Sequence, residues 1–322
     1  MITTSGAQST ADMVLADTDL NGQRYLITGI SSGIGLETAR SLVCHGATVV
    51  GAVRDLAKAK AATSFIRESA PEAAGRLDLI ELDLASLQSV RTCANELLNS
   101  GWTFNAIIAN AGVMATPFGR TADGFETQFG INHIGHFAFI NGIESMLGDA
   151  GRLVVLSSQA HRVADIDLED LNFERQAYDP FVAYGRSKTA NALFALAFDG
   201  RHRDRGIRAA SVMPGNSLTE LARHFSQEEL QSLFETVRKA RADVGLPAPV
   251  LKEISQAAAT SIWAAVVADK DRIGGHYLED CAVAEINETA NPFADGVRKY
   301  ALDPDNAERL WSKSEELIGA VV

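Results

Sequence analysis

From Arg24 to Glu279 the chain alternates short apolar runs with longer amphipathic ones, and this alternation constrains the fold more than any other feature. "RYLIT" (24–28), "ATVVGA" (47–52), "LDLIEL" (77–82), "NAIIAN" (105–110), "GRLVVLS" (151–157), "IRAASVM" (207–213) and "GGHYLE" (274–279) read as strands. They are short, rich in β-branched residues and apolar on both faces, the pattern of a parallel sheet covered on both sides. Helical stretches lie between them at 34–45, 56–69, 86–100, 123–147 and 183–203. Strand–helix alternation of this kind predicts an α/β fold with a doubly wound parallel sheet and right-handed crossovers, a Rossmann-type arrangement.

No linker-like tract interrupts the pattern, so residues 21–322 are expected to form a single domain. Residues 218–245 are polar and helical, break the strand sequence, and are expected to form a lid over the sheet's carboxyl edge. The tail "DPDNAERLWSKSEELIG" starts with a capping-type segment and continues as an amphipathic helix. Residues 1–20 lack both a basic n-region and a long apolar run, and read as a loosely ordered arm and not as a signal peptide. No apolar run reaches the ~20 residues of a spanning helix, so no integral membrane segment is expected. A formal charge of −12 argues against a nucleic-acid partner. Three scattered cysteines, Cys44, Cys93 and Cys281, suit a reducing compartment, and the protein is expected to be cytoplasmic.

The turn "TGISSGIG" (28–35) follows the first strand and opens the first helix. In that context Gly29 permits a tight turn, Gly33 lets the backbone approach a pyrophosphate, and Gly35 allows close helix–strand packing. The helix N-terminus and the hydroxyls of Ser31 and Ser32 offer donors to an anion. The second strand runs into "GAVRD" (51–55), about twenty residues on. Arg54 there suits a 2′-phosphate, no carboxylate stands at the strand tip, and Asp55 follows the arginine. NADP is therefore expected in preference to NAD. "DLAS" (83–86) and "NAG" (110–112) are ordinary helix-start and turn sequences, but both fall at carboxyl ends of strands, where open α/β sheets bind ligands. In "YGRSK" (184–188) a tyrosine and a lysine share one helix face a turn apart, where an ammonium would favour the phenolate and bring it toward a working range.

Together, the turn from Thr28 to Gly35, Asn110-Ala111-Gly112, a serine ending the fifth strand, Tyr184-x-x-x-Lys188 and Pro214-Gly215 resemble the short-chain dehydrogenase/reductase family. "DGFETQFGINHIGHF" (123–137), "VVLSSQAH" (154–161), "LEDLNFERQAY" (168–178), "GGHYLEDC" (274–281) and "ERLWSKSEELIG" (308–319) are similar to its retinol-dehydrogenase-like branch, in a soluble bacterial-type form. The resemblance implies that Tyr184 is the catalytic acid/base and that Lys188 is the partner that lowers its pKa and holds the nicotinamide ribose. It makes Ser158 the substrate-orienting serine, with Ser157 as fallback, and Asn132 the residue that maintains a water relay to the lysine. Gly29, Ser31, Ser32, Gly33, Ile34 and Gly35 would hold the pyrophosphate, Asp83 and Leu84 the adenine, and Asn110, Ala111 and Gly112 the adenosine side. Pro214, Gly215 and Thr219 would lie by the carboxamide. Two departures stand out: the apolar N-terminal anchor of many membrane-bound retinol dehydrogenases is missing, and Met213 replaces that branch's usual histidine before Pro-Gly.

The implied activity is an NADP-dependent oxidoreductase interconverting a carbonyl and an alcohol on a small to medium hydrophobic substrate. The other reading is a catalytically idle NADP-binding sensor or scaffold on the same fold. The resemblance also implies a homodimer or homotetramer paired through the helix carrying "TANALFALAF". His133 and His136, three apart, lack a third ligand at metal spacing, so no metal site is expected.

Overall fold

The computed structural model describes residues 5–69, 75–217 and 226–319. Its sheet comprises β1 (Arg24–Thr28), β2 (Thr48–Val53), β3 (Arg76–Glu81), β4 (Phe104–Ala109), β5 (Leu147–Leu156), β6 (Arg208–Met213), β7 (Tyr277–Glu279) and β8 (Ala282–Val283). The spatial order is β3-β2-β1-β4-β5-β6-β7-β8, with every pair parallel except β7–β8. The chain runs outward from β1 to β3 and then returns to β4. The crossovers therefore diverge between β1 and β4, opening a crevice at their carboxyl ends.

The helices are α1 (Ala11–Leu15), α2 (Gly33–Cys44), α3 (Leu56–Ser69), α4 (Leu87–Ser100), α5 (Thr127–Phe129), α6 (Gly135–Gly142), α7 (Pro180–His202), α8 (Gln227–Ala242), α9 (Ile254–Ile262), α10 (Lys270–Ile273) and α11 (Pro304–Gly319). Successive strand residues point to opposite faces and so build two cores. Leu26, Ile107 and Val155 pack with Val90, Phe139, Leu193 and Trp311 on one side. Tyr25, Ile27 and Val154 pack with Leu15, Leu42, Ala258 and Ile262 on the other.

The structure departs from the sequence reading in four places. The arm expected to be loose carries α1, with Ala11, Val14, Leu15 and Leu20 buried and Asp12 accepting from Ser41 Oγ (2.6 Å) and Arg40. The helix expected over 123–147 is broken: α5 leads into a π-helical turn, Gly130–Ile134, before α6, and β5 already begins at Leu147. α9 and β8 were not anticipated. Of the expected lid, Gln227–Ala242 forms α8 behind a Ser226/Glu229 capping box, while 218–225 lie outside the described residues.

The C-terminal helix forms as expected, with the Asp303 carboxylate accepting from Asn306 N (2.9 Å). It lies along α7, where Trp311 meets Phe194 (5.8 Å between ring centroids), and the same ring reaches Phe137 on α6 (4.9 Å). Any pairing of two chains through α7 would thus have to take in α11. Among the described residues no helix is long and apolar enough to cross a membrane.

Candidate active site

At the β1–β4 crevice lies a cavity of 490 Å³ lined by the glycine turn, Arg54, Asp83, Leu84, Asn110, Ala111, Gly112, Ser158, Tyr184, Lys188, Pro214 and Gly215. The sequence-predicted residues therefore converge, apart from Asn132 just behind the wall and Thr219, which lies outside the described residues.

The turn is built as its glycines require. Gly29 has φ +76°, and a Cβ on Gly35 would stand 2.4 Å from both Gly29 O and Asn110 Nδ2. Ser32, at the N-cap of α2, makes no side-chain capping bond, so the first main-chain N–H groups of α2 are not taken up by that hydroxyl. Asn110 props the turn from β4: its Nδ2 donates to Thr28 O (2.9 Å) and Gly29 O (3.1 Å). Thr28 Oγ1 accepts from the main chain of Asn110 and Ala111 (3.0 Å each) and lies 2.9 Å from His136 Nε2. His136 Nδ1 in turn lies 3.0 Å from Asn132 O. This histidine, considered in sequence only as a metal ligand, ties the glycine turn to the π-helical turn that carries Asn132. Burial holds its pKa down to about 4, so the ring is a neutral hydrogen-bonding bridge at pH 7. His133 lies apart from it, among Phe129, Phe137 and Phe194, with Nε2 2.9 Å from Ser314 Oγ.

At the tip of β2, Arg54 is exposed at the cavity rim. Asp55 accepts from Lys58 N (2.9 Å), so its carboxylate caps the first turn of α3.

Asn132 Oδ1 accepts from Val113 N (2.8 Å), and its Nδ2 donates to Val113 O and Ser187 Oγ (2.9 Å each). It locks the loop after β4 to α7, and Gly112 lies between it and Lys188. Lys188 is buried and donates from Nζ to Leu156 O (3.0 Å), at 5.6 Å from the Tyr184 ring centroid. The two serines at the end of β5 have separate tasks. Ser157 Oγ donates to Lys188 O (2.8 Å), which spends it on holding α7. Ser158 Oγ accepts from Ala160 N (3.1 Å) and bears on the Tyr184 phenol.

Electrostatically the Tyr–Lys pair differs from the sequence expectation. Burial pushes Tyr184 up to about 12, opposed by the Ser158 hydroxyl, and pushes Lys188 down to about 8. In this structure the phenol is set by desolvation, opposed by Ser158, and Lys188 Nζ is committed to Leu156 O. At pH 7 the tyrosine is a neutral phenol and the lysine is still mostly an ammonium.

Residues 23–230 match the family described as short chain dehydrogenase. The chain belongs to that family. It is 36% identical to the short-chain dehydrogenase/reductase prx1 of Penicillium roqueforti, over 97% of this chain and 91% of that one. It is 38% identical to a probable oxidoreductase of Streptomyces lividans, over 94% and 99%. To retinol dehydrogenase 14 of Mus musculus it is 35% identical, over 93% and 87%. A crystal structure of an uncharacterized protein from Mycobacterium paratuberculosis has a TM-score of 0.70 at 32% identity, covering 95% of this chain and 97% of that one. Membership carries a dehydrogenase or reductase activity dependent on a nicotinamide cofactor, and a small-molecule substrate.

Proposed function

We propose that the protein is an NADP-dependent oxidoreductase interconverting a carbonyl and an alcohol on an uncharged, apolar substrate, with Tyr184 as acid/base. The observation that carries this reading is that Ser158, Tyr184 and Lys188 line the same cavity as the glycine turn and a set of apolar side chains. Met114, Val163, Phe181, Leu233, Phe234 and Phe293 are among that apolar lining. Among the described residues, the charged ones of the cavity wall are Arg54, Asp55, Lys58, Asp83 and Lys188, all on the cofactor side by this reading. Helix α8 contributes Leu230, Leu233, Phe234 and Val237 to the same wall, which is where the described part of the expected lid would lie.

The crevice fits a dinucleotide: a Cβ at Gly35 would collide with the turn, and the serine at the start of α2 leaves main-chain donors available to a pyrophosphate. Arg54 would meet a 2′-phosphate, Asp83 and Leu84 the adenine, and Lys188 the nicotinamide ribose. A bound nicotinamide supplies the hydride chemistry. The chain's own part is to meet the charge that develops on the substrate oxygen. Tyr184 Oη, a neutral phenol at pH 7, donates its proton to that oxygen in the reductive direction; in the oxidative direction it is the tyrosinate form that takes the alcohol proton. Ser158 Oγ already accepts from Ala160 N, so its O–H is the part left to donate to the same oxygen. Lys188, still protonated at pH 7, supplies positive charge beside the tyrosinate that proton transfer leaves behind.

The test is Y184F. The variant is expected to bind NADPH as the wild type does and to lose turnover on every member of an aldehyde, ketone and alcohol panel. Near-native turnover by Y184F would overturn the reading, and so would cofactor binding without any turnover by the wild type.

A further inference from the structure

We infer that His161 is a positioning residue, whose ring fixes the main chain at Ser158 and so sets where the Ser158 hydroxyl meets the substrate oxygen. This rests on the role of Ser158 proposed above. The residue after Ser158 opens a 3-10 turn, Gln159–Arg162, and His161 in that turn is fully buried. Its Nε2 accepts from the main-chain N–H of Arg298 at 3.2 Å. A main-chain nitrogen can only donate, so Nε2 carries no proton and the neutral ring's single N–H is on Nδ1. That Nδ1 lies 2.8 Å from Ser158 O and 3.1 Å from Tyr277 Oη. Arg298 thus selects the tautomer, and the tautomer holds Ser158. Burial keeps the pKa down to about 4, so this form persists at neutral pH.

The ring has little freedom to do anything else. It packs on Tyr277 with centroids 4.7 Å apart, and the carbonyl of His161 accepts from Tyr300 Oη (2.5 Å) and Thr189 Oγ1 (3.3 Å). Its neighbours fasten the same turn to the same distant segment. Gln159 Nε2 donates to Phe293 O (3.0 Å), and the buried Arg162 guanidinium donates to the carbonyls of Asn287 (2.8 Å), Thr289 and Asn291 (3.1 Å each). Three of the four residues after Ser158 therefore reach residues 287–298, and His161 carries that restraint back to the carbonyl of Ser158, which accepts from its main-chain N–H (3.0 Å) as well as from its ring.

Nitrogen-15 NMR of the full-length protein labelled at histidine reads the tautomer without any substrate. A ring protonated at Nδ1 between about pH 6 and pH 8 is expected, and an Nε2–H ring, or one that titrates in that range, would overturn the inference. The functional arm compares H161N, whose amide reaches the place of Nδ1, with H161Q, whose amide reaches the place of Nε2. On decanal or benzaldehyde with NADPH, kcat is expected to fall about 10- to 100-fold in H161Q, as for a reacting group misplaced by a fraction of an ångström or more. H161N should stay within about threefold of wild type, with KM for NADPH little changed in both. Each variant loses one hydrogen bond, so a purely structural role predicts that kcat follows thermal stability in both, and that result would overturn the inference. If H161Q does not fold, R298A and R298P read the same claim: both remove the side chain, only the proline removes the N–H, and the φ of −77° at Arg298 accepts proline. Only R298P is expected to lower kcat. Wild-type kcat in H161Q alongside an inactive S158A would sink the His161 role alone, whereas active S158A and Y184F would sink the proposed chemistry with it.

Discussion

K188M should make the protein more stable and inactive. Lys188 is 4% exposed, and no carboxylate counts among the causes of its shift. Its pKa falls from 10.5 to about 8 on desolvation. At ~1.4 kcal/mol per decade, keeping it protonated at pH 7 costs the fold about 3 kcal/mol. Methionine fills the stem's volume without the charge. Leu156 O is not orphaned by the change, because Asn191 Nδ2 also donates to it at 2.9 Å. At pH 7 the variant should gain about 1–3 kcal/mol, the lower bound allowing for imperfect packing. The sign with pH follows from the depressed pKa. The favourable contribution is complete above the unfolded value of 10.5 and is lost as pH falls through 8, so the wild type closes the gap on going alkaline. Between pH 7 and pH 9.5 the difference should shrink by roughly half. Urea unfolding followed by tryptophan fluorescence at several pH values measures it. A K188M protein less stable than wild type at pH 7, or a gap that does not narrow, would refute the desolvation argument.

Arg54→Ala should weaken NADPH binding about 10- to 30-fold, from ~1 kcal/mol per unit charge near 4 Å in water and a phosphate charge of about −1.5 to −2. Titration calorimetry with NADH alongside checks it, and an equal loss for both cofactors would count against a 2′-phosphate contact. Gly35→Ala places a Cβ 2.4 Å from Gly29 O, main chain that cannot move without the turn. Overpacking of that kind costs about 1–3 kcal/mol, read by denaturant midpoint, and cofactor affinity should fall with it. Trp311→Ala removes the ring that α11 inserts against Phe137, Phe194 and the Arg201 guanidinium (4.0 Å from its centroid). A loss of about 3–5 kcal/mol is expected, and a loss under about 1 kcal/mol would mean α11 is not part of the core.

The sheet was legible because strands buried on both faces have to be apolar throughout. The run read at 47–52 is β2 at Thr48–Val53, and the one read at 105–110 is β4 at Phe104–Ala109. What escaped depends on distant contacts. α1 has only five residues, too few for a periodicity to declare itself, and is held by packing on α2 and α9. β8 pairs over two residues behind a turn in which Asp280 and Cys281 both take positive φ (51° and 56°), without the glycine or asparagine that would mark it. A motif suggests which of Ser157 and Ser158 faces the site, but no local pattern decides it. In an extended chain neighbouring side chains face opposite ways, and only the packed α7 determines which one meets Tyr184.

The electrostatics of the site were the least legible part, and for a single reason. The sequence suggests pairs, such as a lysine beside a tyrosine or two histidines three apart, and a pair invites an argument from mutual charge. In the fold these groups are buried, and desolvation is the first cause of every shift: Tyr184 up to about 12, Lys188 down to about 8, His133 down to about 3 and His136 down to about 4, as it is for the unpaired His161, also down to about 4. All five move toward the neutral form. His136 and His161 thereby become fixed hydrogen-bond bridges to the glycine turn and to Ser158, and Tyr184 becomes a phenol that still holds its proton. Lys188 alone keeps most of its charge at pH 7, at a cost to stability that the core has no need to bear. In the proposed mechanism negative charge forms beside that cation, on Tyr184 once the phenol has given up its proton, and this would give a cation held against its own solvation its reason to be there.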